Sequence, residues 1–140
     1  MSRINTGRVI LAGLAAAVVM NVFGFLANGV ILASRWNDST KALGVDVVKT
    51  AAQGVTGWVL MGLAVGLAIA WITAAIRPRF TGGAATGVRA GFAAWVILEA
   101  GIAAAYNGLY PGSLLIQSSV AGLVSTLAAG AVAGAIYRDA

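Results

Sequence analysis

From Val9 to Ser34 the chain carries no charged residue. A run of that length can cross a bilayer, whose hydrocarbon core takes about 20 predominantly apolar residues to span. It also exceeds the roughly 7–15 apolar residues of a secretory signal, so it reads as a retained first helix. Three more apolar runs follow, at about 55–76, 88–108 and 114–137, and the first is bounded at about 9–34. In lipid every backbone polar group has to be satisfied within the structure, which restricts runs of this kind to helices. The expected fold class is therefore all-α integral membrane. It is a four-transmembrane-helix bundle, with residues 1–140 forming a single transmembrane domain.

Composition supports this. Of 140 residues, 60% are hydrophobic and 9% charged, against about 25% charged in soluble domains. Four spans and short connections use up the length and leave no room for a soluble domain. Cysteine and histidine are both absent, which removes disulfides, thiolate and imidazole metal ligands, and thiol or imidazole catalysis. No phosphate-cradling glycine loop and no base–nucleophile pair is present. No cofactor, no metal and no enzymatic activity are expected. The net charge of +5 suits helix flanks that meet anionic lipid headgroups, not nucleic acid. Arg3, Arg8, Arg77, Arg79, Arg89 and Arg138 fall on one side of the predicted spans, and Arg35, Lys41 and Lys49 on the other. The positive-inside rule then puts both termini in the cytoplasm. The expected location is the cell (inner) membrane of a bacterium, as a multi-pass protein.

The spans are rich in small residues at helical spacing. Gly62 and Gly66 form a GxxxG pair, extended by Ala70. Gly87, Gly91, Ala94, Leu98, Gly101, Ala105 and Gly108 make a seam along the third span. Ser118, Gly122, Ser125 and Ala129, with Gly130 and Gly134, do the same on the fourth. Seams of this kind let backbones approach closely, and helix association in lipid relies on that packing. Pro78 stops the second helix, and Gly82 and Gly83 form the next turn. The residues from Asn107 to Gly112 read as a tight hairpin turn, with Ser113 as N-cap of the fourth helix. Between the first two spans, Asn37, Asp38 or Ser39 could cap a short interfacial helix at about 38–50, with Leu43, Val47 and Ala51 on one face. A lead-in turn is the alternative.

Glu99 is the only acidic residue inside an apolar run. An acidic side chain at the bilayer centre costs about 2.5–3.5 kcal/mol on insertion scales. Counting to the middle of each span places Asn21, Glu99, Ser125 and Thr126 at one depth, with Gly66 on the remaining helix. These four side chains are the candidate intramembrane polar site, in which Glu99 is expected to face the bundle and bond to Asn21, Ser125 or Thr126. Three roles fit: a proton or cation site, a clasp that fixes helix register, or a contact to a partner subunit. Asn28 and Gln117 lie nearer the outer interface. Trp36, Trp58, Trp71, Tyr106, Tyr110 and Tyr137 read as interfacial anchors.

The stretch Ala33-Ser34-Arg35-Trp36, the connection containing Ala42-Leu43-Gly44, and the third-helix start with Gly87, Gly91 and Trp95 resemble small uncharacterised four-helix bacterial membrane proteins grouped as a domain of unknown function. The resemblance implies a fold and no reaction. The expected function is that of a non-enzymatic accessory or interaction subunit of a larger membrane assembly, or a homo-oligomer. Its partners would be the lipid bilayer together with other membrane proteins or itself. The alternative is a small proton- or cation-coupled transporter or channel that uses Glu99. A lipid-modifying enzyme comes last, for want of any base–nucleophile pair.

Overall fold

A computed structural model describes residues 4–80 and 82–139, without the side chains of 47, 48 and 50–53. The described residues form an all-α structure of five helices. Helix α1 (Thr6–Gly24) is capped by Asn5, whose side chain accepts from the Arg8 amide. It continues as a π-helical segment, Phe25–Ile31, and Leu32 then closes a wide turn by donating to the Ala27 carbonyl. Helix α2 (Ala33–Ala42) follows. Helices α3 (Val47–Ile76), α4 (Gly83–Tyr106) and α5 (Gly112–Ile136) complete the chain. Four stretches are long and apolar enough to span a membrane: Thr6–Ile31, Gly54–Arg79, Gly83–Tyr106 and Gly112–Ile136.

The interfacial helix expected at about 38–50 is displaced. Asn37, Asp38 and Ser39 lie inside α2, which ends at Ala42, and Gly44 turns the chain with a φ of 72°. That left-handed conformation suits glycine and ends the helix. The true start signal is Asp46, whose carboxylate accepts from the Lys49 amide as α3 begins. Leu43 is exposed, and the side chains of Val47 and Ala51 lie outside the described residues. Ser113 does not cap α5. The cap position is Pro111, and the Ser113 hydroxyl accepts instead from the Arg35 guanidinium at 2.9 Å. Pro78 does end α3, through a 3-10 turn at Arg77–Arg79.

The four long helices form a rhombic bundle. Helix α1 packs on α3 and α5, α4 packs chiefly on α5, and α3 and α5 meet across the short diagonal. The α4–α5 contact is backbone on backbone. A Cβ at Gly87 or Gly91 would overlap the carbonyl oxygens of Gly130 and Thr126, and one at Gly134 would overlap that of Gly83. On α3, a Cβ at Gly66 would lie 2.6 Å from the Ala17 amide nitrogen of α1. The GxxxG pairs thus serve packing within the chain.

The core is lopsided. Its buried residues include Val9, Ala12, Ala16, Ile69, Ala70, Ala90, Ala94, Ala129, Ala133 and Tyr137, all in the half of the bundle that holds both termini. Asn5 donates its amide to the Tyr137 phenol oxygen at 3.3 Å, and Arg77 pairs with Asp139 at 3.1 Å. In the other half Leu32 and Leu114 are buried, while Val55, Leu60, Ile97, Gly101 and Ala105 are exposed. Among the described residues Thr86 Oγ1 is the buried side-chain polar atom without a hydrogen-bond partner.

Three consequences are measurable in detergent by chemical unfolding. Gly91→Ala forces apart two touching backbones and is expected to cost about 1–3 kcal/mol. Gly101 has open space where its Cβ would be, so Gly101→Ala should be neutral or gain up to about 1 kcal/mol. Thr86→Val removes an unpaired buried hydroxyl at near-constant volume and should stabilise by about 1 kcal/mol. A destabilised Thr86→Val would mean that the hydroxyl has a partner in the folded protein.

Candidate functional site

The four residues expected to share one site face different neighbours. Asn21 turns toward α3, where it fills the space left by Gly62: a Cβ there would sit 2.5 Å from Asn21 Nδ2. The Asn21 amide donates to the Ala17 carbonyl of its own helix at 3.0 Å. Ser125 is buried on α5 and donates to the Met20 carbonyl of α1 at 3.4 Å. Thr126 is buried against α4 beside Gly91 and donates to the Leu123 carbonyl at 3.1 Å. These three polar side chains settle their hydrogen bonds on backbone carbonyls and leave no shared binding space.

Glu99 stands apart from them. Thr126 is level with Gly91 of α4. Glu99 lies just over two helical turns further along that helix, about 12 Å at 1.5 Å per residue. Its carboxyl rests over Gly122, where a Cβ would be 3.2 Å from Oε1, and Trp95 borders the same glycine. Trp95 Nε1 donates to the Ser119 carbonyl at 3.0 Å and its ring lies against Phe92, 5.7 Å between centroids. Ala94 marks the core-facing side of α4. Five residues on, Glu99 is rotated by about 140° from it. The carboxyl therefore lies on the outward side of the α4–α5 seam, half-buried. It has no hydrogen bond or ion pair to any described residue.

A second polar assembly, not anticipated as such, lies at the end of the bundle away from the termini. The Asn28 side-chain oxygen accepts from Trp36 Nε1 at 3.0 Å and from the Ser118 hydroxyl at 2.8 Å. Arg35 donates to Gln117 Oε1 and to the Ser113 hydroxyl. Trp36 meets Tyr110 edge-on at 5.1 Å, and Tyr110 meets Tyr106 at 5.4 Å. The π-helical segment carries Asn28 to this junction. Its sequence signal was the set of polar and aromatic residues within a turn or two of the segment ends on one side: Asn28, Arg35, Trp36, Ser113, Gln117 and Ser118.

The geometry ranks these bonds. Intramembrane side-chain hydrogen bonds average about 0.6 kcal/mol, and the Ser125 bond is long. Ser125→Ala is expected to change stability by less than about 0.5 kcal/mol. Asn28→Leu, which removes the acceptor for two donors and leaves both partly buried, should cost about 1–3 kcal/mol. Equal losses in an unfolding titration would contradict this ranking.

Comparison with protein-family models, with curated proteins and with solved structures finds no match for this chain.

Proposed function

We propose that the chain is a non-enzymatic interaction subunit of the membrane. It would associate side by side with other membrane proteins, or with copies of itself, through the outward face of α4 and its seam with α5. The observation that carries the reading is Glu99, a half-buried carboxyl within a spanning helix, at the α4–α5 seam, with no hydrogen bond or ion pair to a described residue. An unpaired acidic group within a spanning helix is expensive, and a donor from a neighbouring chain lowers that cost. Helix α4 is also the least covered span. Only 17% of its most apolar window is buried, against 28%, 33% and 33% for the others. Beyond Ala94, α4 has no buried residue.

The excess of arginine at the end holding the termini supports a cytoplasmic placement of that end. Arg8, Arg77, Arg79, Arg89 and Arg138 lie there, and Arg35, Lys41 and Lys49 lie at the other, while Arg3 is outside the described residues. Coupled transport through Glu99 would call for a hydrated cavity around the carboxyl. The two principal grooves, at about 500 and 230 Å³, are lined by other residues.

The absence of cysteine allows single-thiol cross-linking in native membranes. Ala103 lies one turn beyond Glu99 and is exposed, and Val18 is exposed on α1. Ala103→Cys is expected to give several-fold more adduct than Val18→Cys. Adding Glu99→Leu should abolish the difference, and Glu99→Gln, which keeps hydrogen bonding, should preserve it. Equal adduct yields from Ala103→Cys and Val18→Cys would sink the proposal.

A further inference from the structure

Helix α2 presents Arg35, Asp38, Ser39 and Ala42 at intervals of three and four residues, which puts them on one face. Asp38, Ser39, Ala42 and Leu43 line an open groove of about 500 Å³ whose opposite wall is the turn at 108–111, including Leu109 and Tyr110. Arg35 stands one turn away, at the head of this face. It donates to Ser113 and Gln117 on α5, which uses two of its five N–H groups. Asp38 is only three residues from Arg35, a spacing that commonly pairs opposite charges on a helix. Here the two do not pair: the Arg35 guanidinium is drawn to α5, and Asp38 has no bond or ion pair to a described residue. Arg35, held to Ser113 two residues past the groove-lining Pro111, thus stands at the edge of the groove, and Asp38 lies in its wall, with about one helical turn of α2 backbone between them. Around it lie Trp36 and Tyr110, side chains typical of the headgroup level of a membrane. Further along α5 from the groove, exposed Ile116 and Val120 continue the surface toward the hydrocarbon.

We propose that this groove and the Arg35–Ser113 pair at its edge bind the headgroup of a zwitterionic aminophospholipid, with the phosphodiester on Arg35 and Ser113 and the primary ammonium on Asp38 and Ser39 in the groove wall. Charge complementarity selects the ligand. A singly anionic headgroup such as phosphatidylglycerol satisfies Arg35 but places nothing positive on Asp38. A choline headgroup has the charge but no N–H to donate to the carboxylate or the hydroxyl. An ethanolamine headgroup meets both demands, and the exposed apolar side chains below accept its acyl chains. The site is in the leaflet opposite the termini and is independent of the lateral contact through Glu99.

Native mass spectrometry of the delipidated protein, titrated separately with phosphatidylethanolamine, phosphatidylcholine, phosphatidylglycerol and free glycerophosphoethanolamine, tests this. The wild type is expected to retain phosphatidylethanolamine about tenfold more tightly than either other lipid, in keeping with one charge-assisted hydrogen bond. The acyl-free headgroup should bind far more weakly; equal binding would place a soluble phosphoethanolamine, not a lipid, in the groove and overturn the proposal. Asp38 makes no described contact within the fold, so Asp38→Asn should leave stability unchanged while erasing the preference for ethanolamine over choline. Arg35→Gln should weaken all three phospholipids by a similar factor. Equal retention of the three lipids by the wild type, or an Asp38→Asn variant that keeps the ethanolamine preference, would overturn the assignment.

Discussion

The contact on which the rest of the structure depends is the one between the backbones of α4 and α5. Gly87, Gly91, Gly130 and Gly134 interleave so closely that none has room for a methyl group. In lipid there is no hydrophobic force between helices, because hydrocarbon is as apolar as the side chains. Close backbone approach supplies the missing attraction through dispersion and aligned peptide groups. Helix α5 then offers its other faces to α1 and α3, so that it touches all three of the other spans. The alanines of the core follow from this. Once the backbones are that close, only the smallest side chains fit between them.

The same economy leaves the bundle uneven. Small residues and glycines are consumed in the half that holds the termini, and a ring of polar bonds involving Asn5, Arg77, Tyr137 and Asp139 closes that end. The opposite half has larger exposed side chains and glycines with empty surroundings, such as Gly54, Gly57 and Gly101. Glu99 lies at the transition, on the helix with the least cover. A chain that needed only to hold itself together would gain nothing from a carboxyl in that position. A chain that has to be recognised from the side gains a polar mark in an otherwise featureless apolar wall.

The four spans were legible because length and the absence of charge are strong signals. The breaker residues Pro78 and Gly82 were equally plain. Rotation was harder to read. Asn21, Glu99, Ser125 and Thr126 were placed together by counting to mid-span, and that count carries no information about which way a side chain points. Asn21 and Ser125 do face neighbouring helices, but different ones, while Glu99 rests against Gly122 of α5 about two turns away from Thr126. The interfacial helix shows a different limit. Asn37, Asp38 and Ser39 are good caps by type, yet the π-helical segment already ends in a helical turn at Ala33, so the chain enters α2 before it reaches them. A π turn has no compositional mark, and the register of Asn28, Arg35 and Trp36 depends on it. The polar assembly around Asn28 and Arg35 therefore has no mark in the sequence beyond the nearness of its residues to the span ends.

The central position of α5 bears on how the protein is made. Helices α1 and α3 can pair as soon as both have entered the bilayer, since their contact involves no later segment. Helix α4 enters next with its principal partner still unsynthesised, its glycine face bare and its carboxyl unmatched. Chains emerge at about 5–20 residues per second, so this interval lasts on the order of seconds. The glycine face of α4 thus stays without its principal contact until α5 has followed it.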